Sequence, residues 1–235
     1  MAKVEPLTEE ELNKLRQFDT CTIANAVETF NVRLHNTGYT GGRIRSMFPE
    51  AGPTVGFAVT ARLRSSEPPI AGGTFHDRGD FWNYVQQGPF PSVLVLEDMD
   101  RPSGQGAFVG DMHSAILKAL GCVGYVTNGA VRELDSVRGL GFQLFAESLA
   151  VSHAYAHIFD MGATVTVDGM EVHPGDLLHG DQHGVITIPR EIAHSIHDVA
   201  AELRSAEKAV IEYCRSRDFS IAGLGEAMKR TKVQR

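Results

Sequence analysis

Three side chains near the middle of the chain have the chemistry of a site for a small acid and a metal ion. Asp111 and Glu133 supply carboxylate oxygens, the ligands that hard divalent cations such as Mg²⁺ prefer. Arg132 supplies a planar, fork-shaped cation that can pair with a carboxylate through two parallel hydrogen bonds. All three lie between Gly110 and Asp135, so one short stretch of the fold must position them.

A helix is predicted to begin at Gly110. The apolar residues that follow recur at helical spacing, and they are Ile116, Leu117 and Leu120. Asp111 is a candidate cap for this helix, and Gly121 is a candidate stop signal. The first amide groups of such a helix face outward and form a favourable seat for an anion.

A short strand and a turn are predicted to carry Arg132 and Glu133. The apolar run over 123–126 has β character, and the Asn-Gly pair at 128–129 predicts a turn into a second helix near Val131. Arg132 and Glu133 then follow the carboxyl end of a strand. In layered α/β folds, ligands commonly bind at that edge.

Composition excludes several classes of protein. The 235 residues are 43% hydrophobic and 22% charged, and no apolar run reaches membrane-spanning length, so we expect no membrane partner. Residues 1–12 lack the apolar core of a signal peptide, and the three cysteines are widely spaced, which favours a cytoplasmic protein with reduced thiols. The net charge is −7 and the basic residues are scattered except near the C-terminus, which gives no support to a nucleic-acid partner.

The periodicity of the whole chain predicts a single α/β domain over residues 1–235, with a mixed sheet core and helices packed outside. Helices are expected over about 8–18, 20–30, 81–86, from Pro189 to about 215, and from 220. Strands are expected over 54–63, 92–98 and 141–147, with short antiparallel strands over 162–188. Asp168-Gly169 is the expected hairpin turn, and the segment before Asp160 is expected to be irregular.

Six segments, taken in order, resemble the RraA-like family, which includes the 4-hydroxy-4-methyl-2-oxoglutarate aldolases (HMG/CHA aldolases). They are GGRIRSMFP, TVGFAVTAR, SVLVLED, GDMHSAILKALGCVGYVTNGAVRELD, GFQLFA and VHPGDLLHGDQHGVITIP. The resemblance covers about 20–190 and leaves a C-terminal helical extension over 190–235. It implies a layered α/β/β/α sandwich resembling a swivelling domain.

The family's site pattern is an aspartate, twenty intervening residues, and then Arg-Asp, and Asp111 and Arg132 have that spacing here. The resemblance implies that Asp111 and Arg132 are catalytic and that Arg132 binds a substrate carboxylate or the developing enolate. It also implies that a backbone cradle holds the carboxylate and keto end of a 2-oxo acid. The cradle residues are Gly110, Asp111, Met112 and His113. Residue 133 would bind Mg²⁺ or Mn²⁺, largely through water.

The chain departs from the family pattern at two positions. Glu133 stands where the family usually has aspartate, and Ser136 stands where it often has a further acid. Glutamate places its carboxylate one methylene further from the backbone, but it remains a suitable ligand for a hard cation. We therefore expect Glu133 to bind the metal ion, whereas the substrate can differ from that of the named aldolases.

The resemblance implies a divalent-metal-dependent lyase, a class II aldolase type of enzyme. It would release pyruvate from a 4-hydroxy-4-methyl-2-oxoglutarate type of substrate, decarboxylate oxaloacetate, or do both. Relatives form trimers or hexamers with sites at subunit contacts, so we expect a homotrimer or a multiple of it. The alternative is a non-enzymatic regulator of the RraA type that acts by protein–protein binding.

The same residues also have plainer interpretations. Asp111 could be only a helix cap, and Arg132 could pair at the surface with Glu133 or Asp135. His113 could share in proton transfer, or it could contribute only its backbone.

Residues elsewhere in the chain offer weaker candidates. The histidine pairs 153/157 and 179/183 have the four-residue spacing of zinc ligands, but neither pair falls in a predicted helix. Arg43 and Arg45 could meet a second substrate carboxylate or pair with acids. Cys122 is expected to be a small core residue.

Overall fold

The computed structural model describes residues 6–70 and 76–231, which form a mixed α/β fold. The strands are β1 (Arg45–Ser46), β2 (Thr54–Arg64), β3 (Ser92–Asp98), β4 (Ala107–Val109), β5 (Cys122–Val131), β6 (Gln143–Leu149), β7 (His157–Met161), β8 (Val165–Val167), β9 (Met170–Val172), β10 (Leu177–Asp181) and β11 (Gly184–Ile188). The helices are α1 (Glu9–Leu15), α2 (Thr20–Thr29), α3 (Arg78–Gln86), α4 (Asp111–Ala119), α5 (Leu134–Leu140), α6 (Ile196–Arg215) and α7 (Ile221–Thr231).

Nine of the described strands form one nearly closed mixed sheet. Its main path runs β1-β6-β5-β3-β2-β10-β11, with β4 paired beside β5 and β7 paired beside β2. Strands β2, β3, β5 and β6 are parallel to one another, whereas β1, β10 and β11 run antiparallel to their neighbours. The hairpin β8-β9 forms a separate small sheet. The expected α/β fold with a mixed sheet core is confirmed.

Both faces of the sheet are covered by apolar packing. Helices α3, α4 and α5 bury Phe81, Leu117 and Val137 against one part of the sheet. The hairpin β8-β9 packs Val165 and Val172 on another part. Helices α1, α2 and α6 cover the β10-β11 end. Strand β3 has an almost continuous apolar sequence, because a parallel strand inside the sheet is buried on both faces.

The candidate site depends on the pairing of β4 with β5. Val109 lies opposite Val131 at the ends of these two parallel strands, and the Arg132 amide donates to the Val109 carbonyl at 3.2 Å. Each strand then leads directly into a helix, β4 into α4 and β5 into α5. The two strand ends therefore place Gly110 beside Arg132, although they are far apart in sequence.

The predicted turn at Asn128-Gly129 is wrong, because β5 continues through these residues to Val131. The Asn128 side chain accepts a hydrogen bond from the Asp98 amide at 2.8 Å and donates to the Asp98 carbonyl at 3.1 Å. The Asn128 side chain thus bonds to the β3 backbone just beyond the last backbone pair of these two strands, Leu96 with Thr127. The second helix consequently begins at Leu134 rather than near Val131.

Two other boundaries differ from expectation. The segment expected to be irregular before Asp160 contains β7, which pairs with the end of β2. The long C-terminal helix does not begin at Pro189, because a 3₁₀ turn over Arg190–Ile192 comes first. The strands predicted over 54–63 and 92–98 and the Asp168-Gly169 turn are confirmed. None of the helices in the described residues is both long and apolar enough to cross a membrane.

Candidate functional site

The candidate site begins at the amino end of α4. Gly110 is the N-cap residue, so Asp111 is the first helical residue rather than the cap that the sequence suggested. The Asp111 carboxylate instead accepts a hydrogen bond from the adjacent Met112 amide at 2.6 Å. An acid in this first turn still interacts favourably with the helix dipole.

Glu133, the N-cap residue of the short helix α5, has an uncommon backbone conformation. Its φ is 59° and its ψ is 39°, the left-handed region that non-glycine residues enter rarely. Such a conformation costs on the order of 1–3 kcal/mol. Here it turns the chain sharply between β5 and α5 and places the Glu133 side chain over the start of α4.

The Glu133 carboxylate joins the two parts of the site. One of its oxygens accepts the Arg132 Nη2 donor at 2.6 Å, and the other accepts the Asp111 amide at 3.0 Å. The donors predicted to bind a substrate anion are therefore bonded to the chain's own carboxylate. An incoming anion has to displace Glu133 or bind beside it.

Gly110 leaves the space that the Glu133 carboxylate occupies in this close approach. A Cβ atom at position 110 would lie 2.2 Å from the nearer Glu133 carboxylate oxygen and 3.1 Å from Arg132 Cγ. Its φ of −129° is open to any residue, so the constraint is one of space rather than of backbone freedom.

The site is partly open to solvent. The Arg132 and Glu133 side chains are 27% and 35% exposed to solvent, and Met112 is exposed. A shallow depression beside α4 is lined by Asp111, Met112, Ala115, Ser136 and Leu140. Ser136 thus borders the site without adding the carboxylate that the family often has there. The Arg132 Nε atom is buried and has no hydrogen-bond partner among the described residues.

His113 lies on the first turn of α4 with its ring against aromatic neighbours. The ring centroid is 4.8 Å from that of Phe108 and 5.6 Å from that of Trp82. Burial, with the positive charge of Arg78 nearby, lowers the pKa of His113 to about 4. The imidazole is therefore neutral at pH 7. Phe108 and Trp82 were not anticipated as part of this region, because neither belongs to a recognisable motif.

Asp135 lies outside the site. It is fully exposed and pairs with Arg138 at 3.0 Å, and Arg138 also bonds to Glu50 at 2.9 Å. Arg132 in contrast pairs with Glu133 and not with Asp135.

The residues of the site offer few direct ligands for a divalent cation. Among the described residues, no group of three or more histidine, cysteine or acidic side chains converges as a metal cage. Each Glu133 oxygen already accepts one hydrogen bond, but a carboxylate oxygen has a second lone pair. Mg²⁺ usually keeps several waters and uses one or two protein carboxylates. Glu133, with Asp111 on the adjoining turn, fits a cation held largely through water.

The histidine pairs do not form a zinc site in the described part of the chain. The His179 ring is buried, with Nδ1 at 3.0 Å from the Thr20 hydroxyl and Nε2 at 3.2 Å from the Leu15 carbonyl. Both ring nitrogens are therefore used within the core, and burial lowers the pKa of His179. His183 pairs with Asp181, and His157 contacts the Tyr155 carbonyl.

The remaining candidates have structural contacts. Arg43 pairs with Asp168 at 2.8 Å and with Glu147 at 3.2 Å. Cys122 is buried, and burial raises the pKa of its thiol, as expected for a core residue.

A family model described as "RraA-like: Aldolase/RraA" matches residues 20–187, well over half of the chain. A protein from Halalkalibacterium halodurans named "Putative 4-hydroxy-4-methyl-2-oxoglutarate aldolase" is 27% identical over 104 residues, 44% of this chain and 50% of that protein. Protein DlpA of Legionella pneumophila is 24% identical over 145 residues, 59% of this chain and 22% of that protein. The chain thus spans half or less of the length of these two relatives.

Two solved structures share the fold. An uncharacterized protein from Pseudomonas syringae superposes with a TM-score of 0.75 at 23% identity, covering 98% of both chains. RraAS2 of Streptomyces coelicolor, described as an unusual member of the RNase ES inhibitor RraA protein family, gives a TM-score of 0.67 at 23% identity. That superposition covers 91% of this chain and 99% of the other. At this identity the likeness concerns the fold alone.

Proposed function

Because the chain belongs to the RraA-like family, we propose that its Gly110–Glu133 region is the site of a divalent-metal-dependent lyase acting on 2-oxo acids. The observation that carries the proposal is the meeting of Arg132, Glu133 and the first turn of α4, through contacts of 2.6 and 3.0 Å. The family's aldolase members and the aldolase names of partial relatives support the choice of reaction.

Substrate binding would exchange one carboxylate for another. In the free protein the Glu133 carboxylate occupies the Arg132 guanidinium and the Asp111 amide. The carboxylate of a 2-oxo acid has the same charge and geometry, so it can take over these donors. The released Glu133 carboxylate would then have both oxygens free to hold a divalent cation.

The chemistry needs an acceptor for the electron pair of a breaking C–C bond. A bound Mg²⁺ or Mn²⁺ ion supplies Lewis-acid polarisation of the 2-keto group. Arg132 holds the substrate carboxylate and opposes the negative charge that develops on the enolate. In retro-aldol cleavage, the C4 hydroxyl loses its proton, the C3–C4 bond breaks and its electrons form the pyruvate enolate, which is then protonated at C3. In this proposal Asp111 receives the hydroxyl proton, directly or through water.

We further propose that the site is completed at a subunit contact of a homotrimer or a hexamer. The depression beside Asp111 is shallow and open in the single chain, whereas substrate sites generally enclose most of their ligand. Light scattering at micromolar concentration should give a multiple of three subunits. A monomer that turns over substrate would contradict this assembly.

The function is tested by pyruvate release from 4-hydroxy-4-methyl-2-oxoglutarate and from oxaloacetate, with Mg²⁺, with Mn²⁺ and with EDTA. We expect turnover of at least one substrate with metal and its loss with chelator, restored by added metal. Turnover that is insensitive to EDTA would contradict the metal requirement. Absence of turnover across a panel of 2-oxo acids would contradict the lyase assignment.

One observation favours a second function, regulation by protein contact. The Glu133 carboxylate already accepts hydrogen bonds from Arg132 and from the Asp111 amide, the donors that the lyase proposal assigns to the substrate. These donors therefore need no ligand in the free protein. The similarity in fold to RraAS2 is compatible with such a role. A correctly assembled protein with no activity on the substrate panel would make this second function the better account.

A further inference from the structure

A cavity of about 480 Å³ lies at the opposite end of the sheet from the candidate lyase site. It is bordered by Phe57 near the start of β2 and by Leu177 at the start of β10. The sheet register places Phe57 level with Ser92 and Cys122, at the amino ends of the parallel strands. Arg132 follows the carboxyl end of β5, roughly 30 Å away at about 3.3 Å per residue.

Arg33 lines this cavity, and its guanidinium makes no ion pair among the described residues. Its side chain is half-buried, and Nη1 donates to the Thr187 hydroxyl at 2.7 Å. Within the described part of the chain, its guanidinium has no other hydrogen-bond partner and no ion pair. The guanidinium also lies against Gly38, where a Cβ atom would come within 2.1 Å of Nη1, so its position is fixed from two sides.

The burial of this guanidinium is unfavourable in the free protein. Burial lowers the pKa of Arg33, whereas the nearby negative charge of Asp176 acts in the opposite direction. Charged groups are rarely buried without a partner, because their lost hydration has to be replaced. A bound anion would replace it.

A second arginine lines the same cavity. The Arg190 guanidinium makes no hydrogen bond or ion pair to the described residues and lies near Gly175, where a Cβ atom would be 3.8 Å from one of its nitrogens. Asp176 is the lining carboxylate, and one of its oxygens accepts the His173 amide at 2.8 Å. His194 also borders the cavity and pairs with Glu11 at 2.8 Å. Among the described residues that line the cavity, apart from the His194–Glu11 pair, two guanidinium groups thus face one carboxylate, which gives these groups a formal charge of +1.

The rest of the wall is apolar. Its apolar residues include Phe57, Phe90, Leu177, Ile188 and Ala193. Phe90 is 77% exposed as a residue, so a large apolar side chain stands uncovered beside the cavity. Ligand sites characteristically combine such an apolar wall with a few fixed polar groups in a volume of about 300–1,000 Å³.

We propose that this cavity binds a small organic monocarboxylate with an aromatic or branched apolar body. The carboxylate would pair with Arg33 and Arg190, and the body would lie against Phe57 and Phe90. A planar carboxylate matches the fork of a guanidinium, and its single charge matches the excess of one positive charge. This second site does not depend on the lyase assignment.

The test uses benzoate as a probe and benzyl alcohol as its neutral counterpart of similar size, with binding followed by ¹⁵N-labelled amide shifts and calorimetry. We expect benzoate to shift amides around Phe57, Leu177 and Thr187, with benzyl alcohol binding at least tenfold more weakly. Arg33→Gln should weaken benzoate binding at least tenfold, and Arg190→Gln should weaken it severalfold.

Two controls decide between this site and other arginines. Arg217→Gln, at an exposed position, should leave benzoate binding unchanged. In Arg132→Gln the benzoate-induced amide shifts around Phe57, Leu177 and Thr187 should persist, even if benzoate that binds in the lyase region is lost. Loss of binding in Arg132→Gln with no effect of Arg33→Gln would overturn the proposal. Absence of benzoate binding to the wild type at millimolar concentration would also overturn it. If Arg33→Gln does not fold, the exposed Arg190 variant and the neutral probe still decide the outcome.

Discussion

Arg132 and Arg33 stand at opposite ends of the same sheet and differ in how their charge is met. Arg132 is bonded at 2.6 Å to Glu133, the next residue in the chain, whereas Arg33 has only the Thr187 hydroxyl as a described partner. Residues of a recognisable motif can therefore form an ion pair that occupies the arginine in the free protein. An arginine without any motif can in contrast be the one left open for an anion.

Arg132→Gln should have the largest effect, because it removes the cation that binds substrate and opposes enolate charge. Pyruvate release should fall at least 100-fold, which corresponds to about 2.7 kcal/mol of transition-state stabilisation. Arg138→Gln is the matched control, since Arg138 also pairs with acids but lies outside the site. Equal activity of the Arg132 variant and wild type would remove the functional contrast between the two arginines.

Substitutions at Glu133 should distinguish its proposed role in metal binding from its ion pair with Arg132. Glu133→Ala should weaken Mn²⁺ binding at least tenfold in calorimetry, about 1.4 kcal/mol, whereas Glu133→Asp keeps the carboxylate and should retain binding. Unchanged Mn²⁺ affinity in the alanine variant would show that the ion binds elsewhere.

Glu133→Asp also tests whether the Glu133 carboxylate competes with a bound anion for Arg132 and the Asp111 amide. The shorter side chain should reach the Asp111 amide poorly, so oxalate measured without metal should bind about tenfold more tightly. Weaker oxalate binding in this variant would mean that Glu133 helps to bind the anion instead of competing with it.

Gly110→Ala should disturb the site at a modest cost in stability. The new methyl group would displace the Glu133 carboxylate from the Asp111 amide, and we expect a loss of about 1 kcal/mol in urea unfolding, with a larger loss of Mn²⁺ binding. Gly139→Ala is the control, because a Cβ atom there meets nothing within 4 Å. That helical substitution should stabilise the protein by about 0.5–1 kcal/mol and leave Mn²⁺ binding intact. The same loss of binding in both variants would argue against the close contact.

His113 should produce the smallest effect, which depends on pH. Its folded pKa of about 4 lies below the ordinary value of 6.5, so the unfolded chain binds the proton more readily. Its contribution to stability is therefore complete above pH 6.5 and is lost as the pH falls towards 4. After allowance for partial exposure, His113→Phe should reduce the loss of stability between pH 7 and pH 5 by about 1 kcal/mol. Parallel curves for the variant and wild type would contradict a buried neutral imidazole.

The sequence predicted those features that depend on local patterns. The strands around Val59 and Leu94, the helix after Gly110 and the Asp168-Gly169 turn follow from periodicity and turn residues. The error at Asn128-Gly129 came from a non-local contact, since the Asn128 side chain bonds to the backbone of Asp98 in the next strand.

The proximity of Arg132 and Glu133 to the start of α4 followed from family spacing, but the bond from Asp111 to Glu133 did not. That bond depends on the register of β4 against β5 and on the left-handed backbone of Glu133. Arg33 had no sequence signal at all. Its importance arises from the strand that brings Thr187 to it and from the burial that follows.

The most direct test of the central claim is a crystal structure of the protein grown with Mn²⁺ and pyruvate. We expect an anomalous Mn²⁺ peak beside Glu133, the pyruvate carboxylate on Arg132 and the Asp111 amide, and a broken Arg132–Glu133 pair. An intact pair, with no Mn²⁺ peak and no pyruvate near α4 in any subunit, would contradict it.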